Sequence, residues 1–448
     1  MAKNIRWVST TEQKQWKEMQ VQVSQENPGS GSTPDTLEVT QETDQTMDGF
    51  GGCFNELEWR ALSYLSESDQ NVLFKELFDP NEGCRFRVGR LPVGANDYAL
   101  EWYSLNETAD DYKMEHFSID RDKKCLIPFI QKAKALQPAL SLFASPWSPP
   151  TWMKYPRAHN YGTMIWKKEI LEAYALYFLK FAQAYETEGL PIHQIHIQNE
   201  PMSDQKFPSC IWTGEQFKEF IRDYMGPLFK EHGMNTEIWL GTLNGPEVDS
   251  RFLYTGYDQY ANLVLSDVEA RKYITGVSYQ WCGKYAMQQT HMSWPEMKLM
   301  QTENECGDGK NTWEYAHYVF NLFRHYLVNG ASAYVYWNMV LEPEGPSTWG
   351  WKQNSMVTVN PETAKMTFNP EFYVMKHFSH FIDVGAVRYV TKGHWAGNSV
   401  VFKNPDGQTV IVVGNGMKKD RDIVIIIDGE TQHFCLPAMS WNTIVIGL

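Results

Sequence analysis

The chain has 448 residues, 43% of them apolar, and a formal charge of −14, a balance that argues against nucleic acid or an anionic membrane as partner, since both demand clustered Lys and Arg. No run of roughly 18 apolar residues is present, so no transmembrane helix is expected, and the seven cysteines, scattered without C-x-x-C spacing, read as reduced thiols rather than a disulfide framework or a zinc site. With an N-terminus that lacks the apolar core of a signal peptide, the expectation is a cytoplasmic protein.

In chain order, "DTLEVTQETDQTM" (residues 35–47) reads as an early strand. Eight further β-rich stretches follow. They are "TMDGFGGCFNE" around residue 50, "CRFRVGRLPVG" from 84, "ALSLFASPWSPP" from 139 and "IHQIHIQNEP" from 192, then "TEIWLGTLNG" from 236, "YITGVSYQW" from 273, "KLMQTENECG" from 298 and "ASAYVYWNMV" from 331. In the fourth, Ile195 and Ile197 alternate with His196 and Gln198, the pattern of a strand with one buried face. Between the stretches lie segments of helical period. "EILEAYALYFLKFAQAYETEG" ends on Glu188-Gly189, "TGEQFKEFIRDYMGPLFKEHG" opens on a Thr cap and stops at Gly233, and "NTWEYAHYVFNLFRHYLVNG" closes on Asn329-Gly330.

Eight strands alternating with helices predict an α/β protein built on a (β/α)8 TIM barrel. A doubly wound sheet is the rival, but "GFGG" is not followed by a G-x-G-x-x-G helix start. From residue 385 the texture changes to short β-branched runs split by Pro-Asp-Gly, Asn-Gly and Asp-Gly turns, the signature of a β-sandwich. The expected organisation is a barrel over 46–384 and a side domain over 385–448, with residues 1–45 contributing to the side domain.

Barrel active sites form where the strands end. Those ends carry Asn55-Glu56, Asn96-Asp97, Trp147, Asn199-Glu200, Asn244, Tyr279 to Trp281, Glu303 to Glu305 and Trp337-Asn338. Glu200 and Glu303 fall on the fourth and seventh strands, facing each other across the mouth. Two carboxylates flanking a bond are what glycoside hydrolysis needs, and a separation of ~5–5.5 Å means retention through a covalent intermediate. With Glu303 ionised for attack, its charge raises the pKa of Glu200 and keeps it protonated as the acid. Glu305 competes with Glu303 for the nucleophile's place, and spacing does not choose between them. Trp147 and Trp152, on the proline-stiffened "SPWSPPTWMK", are candidate sugar platforms or caps on the core. Glu56 is placed to bond sugar hydroxyls, and Asn199 to hold the 2-hydroxyl. Cys306 reads as an inert buried thiol, and His193, His196 and His291 show no metal-ligand spacing.

"DGFGG", "SPWSPPTWMK", "QNEP", "TENECG" and "YWNMVLEPEG", in this order, resemble glycoside hydrolase family 30, the relatives of glucosylceramidase. The likeness spans residues 45 to 385, and the trailing β-rich segment resembles that family's side domain. It implies a retaining β-glycosidase without cofactor or metal, acting on a carbohydrate, with Glu200 as acid/base and Glu303 as nucleophile. Terminal glucose is the expected sugar; β-1,6-glucanase, β-xylosidase, β-fucosidase and a catalytically silent carbohydrate-binding protein are the alternatives. The resemblance further implies substrate contacts from Glu56, Trp147, Asn199 and Trp337, with Trp281 beside them. One departure is Cys282, where the family often has a tyrosine that Tyr279 or Tyr285 would replace. Another is Glu56, where the glucosylceramidase relative has a shorter Asp.

Overall fold

The structure is a computed structural model that describes residues 4–20, 35–245 and 257–447. Eight strands close a parallel barrel: Gly49–Cys53, Val88–Pro92, Ser141–Ser145, Ile192–His196, Glu237–Leu243, Ile274–Gln280, Lys298–Glu303 and Ala331–Tyr336. Each pairs with its chain neighbours, and the eighth returns to the first, with Ala333 opposite Gly49 and Tyr336 opposite Gly52. These are the eight stretches read from the sequence, and the barrel prevails over the doubly wound sheet.

The fourth strand departs from its expected pattern. Ile195 and Ile197 join the apolar layer under the helices, but His196 and Gln198 are equally buried. His196 turns into the barrel, stacked on Trp239 at 5.2 Å with its Nδ1 2.7 Å from Ser278 Oγ. In a closed barrel the second face of a strand looks into a packed interior, so alternation separates inside from outside rather than buried from wet. Trp239 fits only because its neighbour is Gly276, where a Cβ would lie 2.5 Å from the indole.

The predicted helices form at Lys168–Thr187, from Gly214 onward, and at Trp313–Val328. Thr213 caps the second through a reciprocal pair with Gln216, and Thr312 caps the third. The second is not one regular helix. It passes through a wider π turn at Phe220–Met225 before continuing as Gly226–Glu231, because Pro227 has no N–H to carry on the ladder.

Both chain ends build the side domain. One continuous sheet of nine strands runs Lys14–Glu18, Ile5–Thr11, Ser440–Ile446, Thr409–Asn415, Ser399–Lys403, Val387–Lys392, Thr36–Thr46, Arg421–Ile427, Glu430–Leu436. It curls into a sandwich. Trp7 near one end meets Phe434 at the other, ring centroids 5.5 Å apart, around Leu37, Val401, Ile411, Ile423 and Ile444. Residues of the opposite parity, Phe402, Val410, Val412 and Trp441, merge with the barrel's own core. Trp441 stacks on Trp313 of the helix Trp313–Val328 at 5.3 Å.

Candidate active site

The strand ends open into a cleft of about 410 Å³. Asp97, Trp147, Asn199, Glu200 and Glu303 line its inner part, and Trp281, Phe207, Trp349 and Trp351 form an aromatic wall.

Glu303 is the last residue of the seventh strand. Its Oε2 accepts from Arg90 Nη1 at 2.9 Å and from Gln280 Nε2 at 3.1 Å, and its Oε1 from Trp281 Nε1 at 2.9 Å. Glu200 follows the fourth strand in the left-handed region, φ +47°, where the following Pro201 also disfavours right-handed helical geometry. Its backbone N–H is anchored to Thr242 O at 3.0 Å. Trp281 is left-handed too, φ +48°. Two non-glycine residues held in this costly region beside one cleft are the kind of stored strain found at functional sites.

Gln280 joins the two carboxylates. Its Nε2 lies 3.0 Å from Glu200 Oε1 and 3.1 Å from Glu303 Oε2, so those two oxygens are within about 6 Å of each other. Thr302 Oγ1 donates to Gln280 Oε1 at 3.0 Å and sets which way the amide faces. Arg90, wholly buried, lies beneath. It donates to Ser145 Oγ and Asn199 Oδ1 as well as Glu303, and Trp147 and Trp337 cover it at 4.6 and 5.3 Å. Because arginine only donates, it forces the Asn199 amide oxygen inward.

Burial pushes the Glu200 carboxyl up to about 7, and the Glu303 charge adds to the effect. Burial raises Glu303 also, but Arg90, Trp281 and Gln280 oppose it. Those three contacts favour the ionised form of Glu303. Burial also pushes Asp97 well above the usual carboxylate range, with the charges of Glu303 and Glu200 adding. Its buried Oδ1 has no hydrogen-bond partner among the described residues, so the site holds a polar group with bonding capacity to spare.

Two family descriptions match this chain: the glycosyl hydrolase family 30 TIM-barrel domain over residues 47–382 and the glycosyl hydrolase family 30 beta sandwich domain over 385–444. The chain belongs to glycosyl hydrolase family 30. It is 30% identical to putative glucosylceramidase 3 of Caenorhabditis elegans, covering 90% of this chain and 80% of that one. Lysosomal acid glucosylceramidase of Mus musculus is 28% identical (85% and 77% covered), and an endo-1,6-β-D-glucanase of Aspergillus fumigatus 27% (94% and 89%). Among solved structures, SrfJ from Salmonella typhimurium superposes with a TM-score of 0.88 at 23% identity, covering 99% of both chains. The endo-β1,6-glucanase BT3312 superposes at 0.85 and 23%, covering 99% of this chain and all of that one. As a member of this family the chain is a glycoside hydrolase.

Within the family 30 site, the structure gathers Trp147, Asn199, Glu200, Trp281 and Glu303 as expected, and departs elsewhere. Glu56 does not line the cleft. Its Oε2 accepts from Leu100 N at 2.7 Å and Arg121 Nη2 at 3.1 Å, which turn it into the protein. Trp337 sits behind Trp147, stacked on it at 5.3 Å, and its indole N–H has no partner among the described residues. Tyr279 points outward to Thr290, since its register on the sixth strand is opposite to that of Gln280. Tyr285 stands against Lys284 and His325, away from the cleft. Neither tyrosine replaces the missing one, and Cys282 itself lines the cleft. Glu305 is held by Lys284 and the Tyr318 hydroxyl outside the cleft, leaving Glu303 there. Cys306 is buried, its thiol pushed well up by burial. Trp152 is a cap on the core, its indole bonded to Asn106 O.

Arg90 went unread in the sequence, and Gln280 stands there only as part of the strand end Tyr279 to Trp281, with no role of its own. The signal for Arg90 was present, a lone charge inside the apolar run "VGRLPV", where a buried cation demands a partner. Nothing local distinguishes Gln280, because its importance lies in which way its strand faces.

Proposed function

We propose that this family 30 chain is a retaining β-glucosidase that releases terminal glucose by double displacement. The carrying observation is the Gln280 bridge, which brings one oxygen of Glu200 and one of Glu303 within about 6 Å of each other, in keeping with the closely spaced carboxyl pair of a retaining enzyme. Glu303, the more readily ionised, attacks the anomeric carbon as Glu200 gives its proton to the departing oxygen. Esterification removes the Glu303 charge, Glu200 ionises more easily, and it then activates the water that releases glucose. Neither step requires a metal or cofactor.

Asp97 and the free Nδ2 of Asn199 supply hydrogen bonds to sugar hydroxyls above the Trp147 floor. Asp97 and Trp147, both nearly buried, line the cleft beside the two carboxylates, and the sugar bound there is taken to be a terminal one. The relatives' names, glucosylceramidase and endo-1,6-β-D-glucanase, favour glucose.

The test is mechanism-based trapping. A 2-deoxy-2-fluoro β-glucoside is expected to inactivate the protein and leave one fluoroglucosyl adduct on the peptide carrying Glu303, read by mass spectrometry. Alongside, nitrophenyl β-glucoside, xyloside, fucoside and galactoside report the sugar. An adduct on Glu305, or α-glucose as first product from a β-glucoside, overturns the mechanism; faster turnover of another sugar overturns the glucose assignment.

A further inference from the structure

The two carboxylates and the Trp147 floor leave the outer half of the cleft without a role. Its wall is a connected set of rings. Phe207 stacks on Trp349 at 5.0 Å, and Trp349 meets Trp351 at 5.4 Å. Lys206 Nζ lies 4.6 Å from the Trp349 centroid. With Phe207 and Lys206 against it, Trp349 acts as a support, and Trp351, 40% exposed, is the ring left open.

Trp351 is held in place. Its N–H donates to Ser347 Oγ at 3.0 Å and its carbonyl accepts from Ser347 N at 2.7 Å, closing a tight turn. The rim beside this wall comes from residues soon after Glu200: Ser203, Asp204 and Gln205, which run on into Lys206 and Phe207, with Asn244 also lining the cleft. Asn244 Nδ2 donates to Ser203 Oγ at 2.6 Å, tying two strand-end loops together. Since this rim continues the chain from Glu200, it lies on the side from which the departing oxygen receives its proton.

An aromatic face with hydroxyl, amide and carboxylate groups around it suits a pyranose ring, whose C–H face is apolar and whose edge is hydroxylated. A long acyl chain needs a continuous aliphatic surface instead, and Met202 is the one aliphatic side chain lining the cleft among the described residues. We propose that this wall is an acceptor subsite for a second sugar, making the substrate a β-linked gluco-oligosaccharide. The inference rests on Glu200 and Glu303 being the catalytic pair. In the step it serves, the bond from the anomeric carbon to the acceptor oxygen breaks and a bond to Glu303 forms. The Glu200 proton goes to the acceptor oxygen, and the freed sugar departs along Trp351.

The experiment compares wild type and Trp351→Ala on β-glucosyl fluoride, whose leaving group is too small to reach the wall, and on β-1,2-, β-1,3-, β-1,4- and β-1,6-linked glucobioses. Wild type is expected to cleave at least one glucobiose. Trp351→Ala should lower kcat/KM for it about tenfold, the equivalent of one aromatic contact, while turnover of the fluoride stays unchanged and reports an intact fold. Phe207→Ala, which removes the support behind Trp349, should show the same split. Equal loss on both substrates, no loss on either, or a wild type that cleaves the fluoride and octyl β-glucoside but no glucobiose overturns the acceptor subsite. A wild type inactive on the fluoride itself overturns the catalytic reading, and this one with it.

Discussion

Arg90 Nη1 lies 2.9 Å from Glu303 Oε2, and the arginine side chain has no exposure to solvent. A bare buried cation would be prohibitive, but this one is fully used: Ser145, Asn199 and Glu303 accept from it, and two indoles cover it. The arrangement holds negative charge on Glu303 in a place that burial alone would make neutral.

Replacing Arg90 by Met is therefore expected to raise the Glu303 carboxyl and move the acidic limb of the kcat/KM profile up by about one pH unit or more. Because one partner of a buried pair is left behind, the variant should also lose about 3–5 kcal/mol of stability. A pH–rate profile taken below the variant's unfolding temperature checks the first effect, and denaturant unfolding the second.

Glu200 titrates at about 7 and must carry its proton to act as acid. Activity should accordingly fall about tenfold per unit above pH 7, and Glu200→Gln should remove that limb along with most of the rate on unactivated glucosides. The same shift has a stability consequence of definite sign. A carboxyl raised in the fold binds its proton more tightly there than in the unfolded chain. Its stabilising contribution is present in full below the unfolded value of 4.5 and is lost as pH rises through about 7. Thermal unfolding of Glu200→Gln should show a weaker decline over that window than wild type.

Asp97 and Glu56 are both buried acids near strand ends, yet only Asp97 reaches the cleft. Asp97→Asn should lower kcat/KM for glucosides by up to about tenfold, since one hydrogen bond between a neutral group and a sugar hydroxyl is worth about 0.5–1.5 kcal/mol. Glu56→Gln should leave kcat/KM within about twofold and lower the melting temperature, because it loosens the Arg121 contact. Parallel steady-state kinetics and calorimetry on the two variants test this; a sugar-selectivity change in Glu56→Gln would return that residue to the site.

Trp441 fills the seam between sandwich and barrel, fully buried and stacked on Trp313. Trp441→Ala should cost about 3–5 kcal/mol through lost burial and the cavity left behind. Activity per folded molecule at low temperature should be unchanged, which active-site titration against unfolding curves will show.

The barrel was legible in the sequence because each of its strands is a short apolar run bounded by turn residues, and each major helix carries its own period and caps. Glu200 and Glu303 were legible for a related reason: a carboxylate where an apolar strand stops has to lie at the rim. What one dimension does not hold is which face each residue takes once the sheet closes. Closure turned Gln280 inward and Tyr279 outward on the same strand, and buried His196 and Gln198 as deeply as their apolar neighbours. It also carried Arg90 from the second strand to Glu303 on the seventh, and let Leu100 and Arg121 draw Glu56 away from the cleft. Composition and local spacing determined the fold and put Glu200, and either Glu303 or Glu305, at the rim; the contacts of Glu305 with Lys284 and Tyr318 then left Glu303 in the cleft. The hydrogen-bond network that sets their charges, and the aromatic wall beyond them, were decided by tertiary structure alone, because each joins side chains that only barrel closure and loop packing bring within bonding distance.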